Sequence, residues 1–240
     1  MNGKIINVLK VKILIWLFLL YNYIMRGELC MLEGIQVLCH SSIRMKRDMT
    51  IYFDPFQINH DYNDADIILI THDHYDHYSE EDIDRVVKKD TIIVASMDLK
   101  EKLLNHGFQM EQIVLVEPNQ NYQIKGIEVH TIPAYNTNKA FHKKEYGWVG
   151  YLIMLDGITY YIAGDTDITE ENLQVRCDVA FVPVGGTYTM TYGEAASLVN
   201  QIHPKIAVPI HYGSIVGTKE DGKKLSELLD SDILCKVFIS

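Results

Sequence analysis

The chain has 240 residues, 48% hydrophobic and 22% charged, which suits a folded domain with a sizeable core and excludes a disordered or low-complexity chain. Its formal net charge of −10 does not supply the broad basic face of a nucleic-acid binder, so no nucleic-acid partner is expected. Cys30, Cys39, Cys177 and Cys235 form no C-x-x-C pair and no zinc-finger spacing; they read as free thiols of a reducing, cytoplasmic protein, with Cys39 as core filler.

Residues 11–25 (VKILIWLFLLYNYIM) are almost wholly apolar and follow Lys4 and Lys10, with Lys12 inside the segment. The stretch is shorter than the roughly 20 residues of a comfortable membrane span, and no small-x-small cleavage site follows it. Three readings stay open: an uncleaved anchor, a degenerate signal, or an upstream extension with the working start at Met25 or Met31. The domain pattern begins at Met31, which favours the extension. Residues 1–30 are therefore set apart from one domain over residues 31–240, and membrane contact is expected only if residues 11–25 are a true anchor.

From residue 35 onward strands and helices alternate. Short β-branched runs predict strands at 51–53, 67–71, 92–95 and 113–116, with a helix over 98–106 closed by Gly107. Two strands joined at Lys125-Gly126 are predicted within 122–131. Asp156-Gly157, between apolar runs at 149–155 and 158–163, is a strong hairpin signal. A strand at 179–184 breaks at Gly185-Gly186; a helix at 192–202, a strand at 206–210, a helix at 220–229 and a strand at 234–239 follow. Three of these strands finish on a potential metal ligand: His72, Asp165 and His211. Ligands at strand ends can converge on one edge of a rigid scaffold.

The run His72-Asp73-His74-Tyr75-Asp76-His77 packs three histidines and two aspartates into six residues. In an extended stretch residues i and i+2 share a side, so His72 and His74 can face one ion. A turn then brings Asp76 and His77 to a second ion beside it. Imidazole and carboxylate suit one or two Zn²⁺ ions, with Mn²⁺ or Fe as alternatives.

H-x-H-x-D-H directly after a strand resembles the signature of the metallo-β-lactamase superfamily. Gly164-Asp165-Thr166 and Pro209-Ile210-His211-Tyr212 follow in that family's order. Upstream, His40-Ser41-Ser42 and Asp54-Pro55-Phe56 look like the opening strands of the branch that includes L-ascorbate-6-phosphate lactonase. The resemblance covers residues 31–240 and implies an α+β fold, a four-layer αββα sandwich with a one- or two-metal site at its edge. It also implies roles: His72 and His74 on the first metal, Asp76, His77 and His211 on the second, and Asp165 bridging.

One departure stands out. The family usually supplies another histidine between the first motif and the G-D-T aspartate. Here Pro133-Ala134-Tyr135-Asn136 ends on asparagine where relatives of this branch often carry histidine. His130 and His142 lie near, and His142, in Phe141-His142-Lys143-Lys144, is expected to replace the missing metal ligand or to contact substrate.

The expected activity is that of a zinc-dependent hydrolase. A zinc-bound hydroxide, available near pH 7, would attack a small ester, lactone, amide or phosphodiester. Asp76 is expected to serve catalysis as well as metal binding. His40, at a strand end, either serves catalysis or only bonds a loop backbone. A small-molecule partner is expected, and an anionic one could meet Lys143 and Lys144 or the Gly185-Gly186 turn. His60, His106 and His203 carry no motif and read as surface or capping residues. The rival classes are a nuclease or phosphodiesterase acting on nucleic acid, a di-iron redox protein, and a metal-binding module without turnover.

Overall fold

The β-branched runs of the sequence become thirteen strands among the described residues, arranged in two mixed sheets. The structure, a computed structural model, describes residue 27 and residues 30–239. The apolar segment 11–25 and the alternative start at Met25 lie outside the described residues. Two units are separated, Met1–Glu33 and Gly34–Ser240, and every element named here belongs to the second. Among the described residues no helix is long and apolar enough to cross a membrane.

The first sheet holds β1 (Ile35–Cys39), β2 (Ser42–Lys46), β3 (Thr50–Phe53), β4 (Ile67–Ile70), β5 (Ile92–Ser96) and β6 (Ile113–Val116), each beside the next. Its first three strands are antiparallel neighbours and its last four run parallel. The second sheet repeats that plan. β7 (Asn121–Ile124), β8 (Ile127–Pro133), β9 (Val149–Leu155) and β10 (Ile158–Ile162) are antiparallel. β11 (Val179–Pro183), β12 (Ile206–Ile210) and β13 (Leu234–Cys235) continue parallel from β10.

The period-2 alternation of buried strands sorts their side chains into layers. On the first sheet Tyr52, Ile68, Ile70, Ile93 and Ala95 pack with Ile83 of α1 (Glu80–Val86) and Leu103 of α2 (Lys100–His106). On the second, Tyr161, Ala180, Val182 and Ala207 pack with Leu198 and Val199 of α3 (Tyr192–Ile202) and Leu225 of α4 (Asp221–Ser226). The alternate residues face the other sheet. Phe53 meets Tyr151 with ring centroids 6.3 Å apart, and the Tyr151 hydroxyl donates to Ile70 O at 2.7 Å across the gap. Helix, sheet, sheet, helix is the αββα sandwich.

Several boundaries differ from the sequence reading. No helical period marks residues 80–86, yet α1 forms: Ser79 accepts from the Asp82 amide and three acidic residues favour its first turn. Asp82 also accepts from the Gln57 and Ile58 amides, which fixes the loop after β3. The strand predicted at 234–239 is cut to Leu234–Cys235, because the tail turns inward and the Tyr212 hydroxyl donates to Ile239 O at 2.8 Å. The helix predicted at 220–229 is only Asp221–Ser226; Leu228 N–H reaches Leu225 O, a tightened final turn. Cys39 is partly exposed and bonds Gln57, so it is not core filler.

The ends of β3, β4, β10 and β12 and the β1–β2 turn come together at one edge. His40, Asp54 and His211 all occupy the left-handed region there, with φ of 52°, 43° and 57°. The His211 amide donates to His40 O at 3.0 Å, tying the first sheet's turn to the second sheet's strand end.

Candidate metal centre

The site is assembled from short-range consequences of where each strand stops. Just past β4, Thr71 donates its amide to Asp54 Oδ1 and its hydroxyl to Asp54 Oδ2, both at 2.8 Å. His77 Nδ1 lies 2.7 Å from Asp54 Oδ2. A carboxylate only accepts, so Nδ1 carries a proton and Nε2 is the nitrogen left to face a metal ion. The Thr71 hydroxyl proton is already committed to Asp54. Its oxygen therefore accepts from His72 Nδ1 at 3.0 Å, which frees His72 Nε2 as well.

Beyond β10, Gly164 (φ +65°) lets the chain turn against Thr71: a Cβ there would lie 3.3 Å from the Thr71 side chain. That turn delivers Asp165. Gly185 plays the same part after β11, where a Cβ would meet His211 O at 2.3 Å.

The structure brings His72, His74, Asp76, His77, His142, Asp165 and His211 into one cluster, all buried but the half-buried His74, with His40 beside it. Groups that could share an ion are His72, His74, His142 and Asp165; His77, Asp165 and His211; and His40, Asp76 and His211. His72 Nε2 is 3.1 Å from His74 Nδ1. Asp165 Oδ2 is 3.2 Å from His142 Nε2 and 3.0 Å from His211 Nε2. His77 Nε2 is 3.3 Å from Asp165 Oδ1 and 3.5 Å from Asp76 Oδ2. Two donors each about 2.1 Å from one tetrahedral ion lie about 3.4 Å apart, so these spacings fit metal ligation.

Hydrogen bonding agrees with that fit. His77 Nε2, His142 Nε2, both ring nitrogens of His211 and Asp165 Oδ1 are buried and have no hydrogen-bond partner. Buried polar groups are seldom left so, and divalent cations would satisfy His77 Nε2, His142 Nε2, His211 Nε2 and Asp165 Oδ1, the atoms that face one another. Asn136 is not lost to the site. Its Oδ1 accepts from the His142 amide at 3.0 Å and from His142 Nδ1 at 3.1 Å, which aims His142 Nε2 at Asp165. Trp148 closes the side: its ring lies 4.7 Å from His72 and 4.8 Å from His74, pinned by Nε1 donating to Asp98.

The local field suits a cation. Burial pushes the Asp165 carboxyl up, but His211, His77 and His142 outweigh it and hold Asp165 well below the usual carboxylate range. Asp76 behaves likewise: burial raises it, and His211 and His40 bring it down further than burial lifts it. Burial keeps His72, and less strongly His74, below the ordinary histidine value, so both are neutral and available as ligands.

The cluster opens into a cavity of about 240 Å³ lined by His74, Tyr75, Asp76, Phe141, Asp165, Tyr188 and Ile215. Tyr75 is 66% exposed and Phe141 47%, and Phe141 stands edge-on to Tyr188 at 4.7 Å. His40 lies behind that wall, fully buried.

Other candidates fall elsewhere. His130 is on β8 and bonds Asn121. His106 pairs with Asp84 and His203 with Asp232, while His60 is exposed. Lys144 pairs with Glu171 and Lys143 lies over Tyr146, and neither lines the cavity. The anion site considered at Gly185-Gly186 is corrected: α3 begins later, and its N-terminus is closed by the Thr191–Glu194 capping box, whose carboxylate would repel an anion. Thr71 and Trp148 were not singled out by motif, and Asp54 entered only within Asp54-Pro55-Phe56, with no role at the site assigned to it. An aspartate ending a buried strand before a proline was the one available signal, at Asp54-Pro55.

Residues 34–211 match the family model described as the β-lactamase superfamily domain. A UPF0173 metal-dependent hydrolase of Pyrococcus furiosus is 29% identical over 211 residues, covering 80% of this chain and 91% of that protein. The solved structure of a candidate metal-dependent hydrolase from Parabacteroides distasonis is 32% identical with a TM-score of 0.75, covering 86% of this chain and 93% of the other. A metallo hydrolase from Ignicoccus hospitalis shares the fold, with a TM-score of 0.66 at 22% identity over 85% of this chain and 93% of its own.

Proposed function

The chain belongs to the metallo-β-lactamase superfamily, and from that premise we propose that it is a metal-dependent hydrolase of small molecules. One observation carries the reading: imidazoles and carboxylates converge at ligand spacing next to an open cavity, with His77 Nε2, His142 Nε2, His211 Nε2 and Asp165 Oδ1 buried and unpartnered. In this reading His72, His74 and His142 hold a first ion, Asp76, His77 and His211 a second, and Asp165 lies between. The donor set of imidazole and carboxylate without thiolate favours Zn²⁺, with Mn²⁺ or Fe as alternatives.

Such an ion, when bound, activates water near neutral pH and polarises an oxygen of the scissile group. The chain supplies the rest. Asp54 and Thr71 fix the tautomers of His72 and His77, and Asn136 fixes that of His142. Trp148 keeps bulk water from that flank. Asp76 lines the cavity, where a carboxylate can carry a proton from the attacking water to the leaving group. Tyr75, Phe141, Tyr188 and Ile215 offer apolar faces, and no Lys or Arg is among the described residues lining the cavity. That favours an uncharged ester, lactone or amide with an apolar arm over a phosphodiester or other anion.

The test is metal content and turnover together. Wild type and His74→Ala are analysed for bound metal, then assayed on an aryl ester, a simple lactone, an aryl phosphodiester and an RNA oligonucleotide. Metal-dependent turnover of the ester or lactone, lost with a chelator and in His74→Ala, is the expected result. Preferred cleavage of RNA would replace the reading with a nuclease, and bound metal without turnover would leave a binding module.

A further inference from the structure

We propose that His40 is itself a metal ligand, completing the second-ion position with Asp76 and His211. The inference rests on the metal-centre reading and adds to it a residue from the β1–β2 turn of the first sheet. His40 Nε2 is 3.3 Å from Asp76 Oδ2, and His211 Nε2 is 3.6 Å from the same oxygen. These separations bracket the roughly 3.4 Å expected between two donors on one tetrahedral ion. The His40 and His211 rings lie 3.9 Å apart between centroids, and the His40 carbonyl accepts from the His211 amide. Both side chains are therefore presented from a joined pair of backbones.

Two features separate a ligand from a bystander. The first is satisfaction: His40 is completely buried, and neither ring nitrogen has a hydrogen-bond partner. A histidine kept only to fill space would leave Nε2, the nitrogen that faces Asp76, orphaned in the core at the cost of a hydrogen bond's desolvation, and a metal ion there would satisfy it. The second is backbone. His40 is the first residue of the two-residue turn His40-Ser41 between β1 and β2, with φ 52°. Such turn positions favour Gly, Asn or Asp. A histidine held there in the left-handed region is a strained choice of the kind retained at functional sites. A proton-carrying role fits less well, because His40 does not line the cavity. Its ring meets Asp76 and His211, with Phe56 and His77 each edge-on to it at 6.4 Å.

The test uses wild type, His40→Asn and His40→Gly, both replacements being at ease with the positive φ. Metal-free proteins are titrated with Zn²⁺ by calorimetry, bound zinc is measured by elemental analysis, and circular dichroism checks the fold. Wild type is expected to take two ions. Each variant should keep one tight site while its second weakens by about 100-fold or more, at or beyond the upper end of what losing an outer-shell partner costs. Millimolar imidazole should restore the second ion in His40→Gly, where a space is left, and not in His40→Asn. Two ions at wild-type affinity in both folded variants would overturn the assignment, as would loss of both ions together. Wild type that takes no metal would overturn the hydrolase reading itself, which is a distinct result.

Discussion

Replacing Asp54 by asparagine changes one oxygen to an amide nitrogen and leaves volume untouched, so its effect isolates hydrogen bonding. Oδ1 accepts from the Thr71 amide, while Oδ2 accepts from the Thr71 hydroxyl and His77 Nδ1. An asparagine has two orientations. With its NH₂ at the Oδ2 position it must donate to His77 Nδ1, which moves the imidazole proton to Nε2 and destroys the lone pair aimed at Asp165 and Asp76. With its NH₂ at the Oδ1 position it opposes the Thr71 N–H, leaving buried donors face to face at about 1–3 kcal/mol. The first orientation should weaken metal binding about 10–100-fold, or about 1.4–2.7 kcal/mol. The second should lower the melting temperature of the metal-free protein by about 2–10 °C for a domain of this size. Calorimetric zinc titration and a thermal melt of the metal-free protein read the two separately. If neither zinc affinity nor melting temperature changes, the tautomer argument for His72 and His77 fails.

Two further predictions concern the mouth and the surface. Phe141→Ala removes an exposed ring that stands edge-on to Tyr188. It should raise KM for an aryl ester several-fold, in line with about 0.5–1.5 kcal/mol for an aromatic contact, with kcat and melting temperature little changed. Asp178 accepts from Lys205 Nζ at 2.8 Å and from the Thr159 amide and hydroxyl. Burial pushes its carboxyl up, and Lys205 and Thr159 more than offset that, so it sits below the usual value. A depressed carboxylate stabilises above its unfolded pKa of about 3.9 and loses that contribution as pH falls through the folded one. Asp178→Asn should therefore cost on the order of 1 kcal/mol at pH 7, after discounting for solvent screening. The gap to wild type should close below pH 4 in a pH series of melts.

What the sequence shows and what it hides divide along the range of the interactions. β4, β9, β10, β11 and β12 were legible because buried strands are apolar runs, and Asp156-Gly157 and Gly185-Gly186 mark the turns after β9 and β11. H-x-H-x-D-H was legible because a metal site concentrates rare residue types at fixed spacing. α1 was hidden, since its seven residues are mostly acidic and its start depends on one Ser79 cap. The short β13 was overestimated because Ile239 is apolar for a tertiary reason, packing on the second sheet's core where its carbonyl accepts from the Tyr212 hydroxyl. The supports of the cluster were hidden most completely. Asp54 acts on a histidine 23 positions later, and Trp148 packs on His72 from the far sheet. No local pattern marks a residue whose role is to hold another residue's proton.

Asn136 shows how a departure in sequence can be absorbed in space. Its backbone amide donates to His142 O at 2.7 Å, its Oδ1 accepts from the His142 amide and Nδ1, and its Nδ2 donates to Tyr188 O at 2.9 Å. The Nδ2 bond to a carbonyl fixes which amide atom is oxygen, so His142 Nδ1 must be the protonated nitrogen and Nε2 the free one. A ligand lent by a loop is thus given the precision of one on a strand end. Asn136→Ala should leave His142 in place but unsupported, with zinc affinity at the first position down about 10–100-fold. Asn136→Asp should retain most of the affinity, because a carboxylate oxygen still accepts from Nδ1 even as the Tyr188 bond is lost. His142→Ala should be at least as severe as Asn136→Ala, and the double variant should be no worse than His142→Ala alone, since the two residues act through one ring. Additive losses in that cycle would mean that Asn136 supports the site by another route.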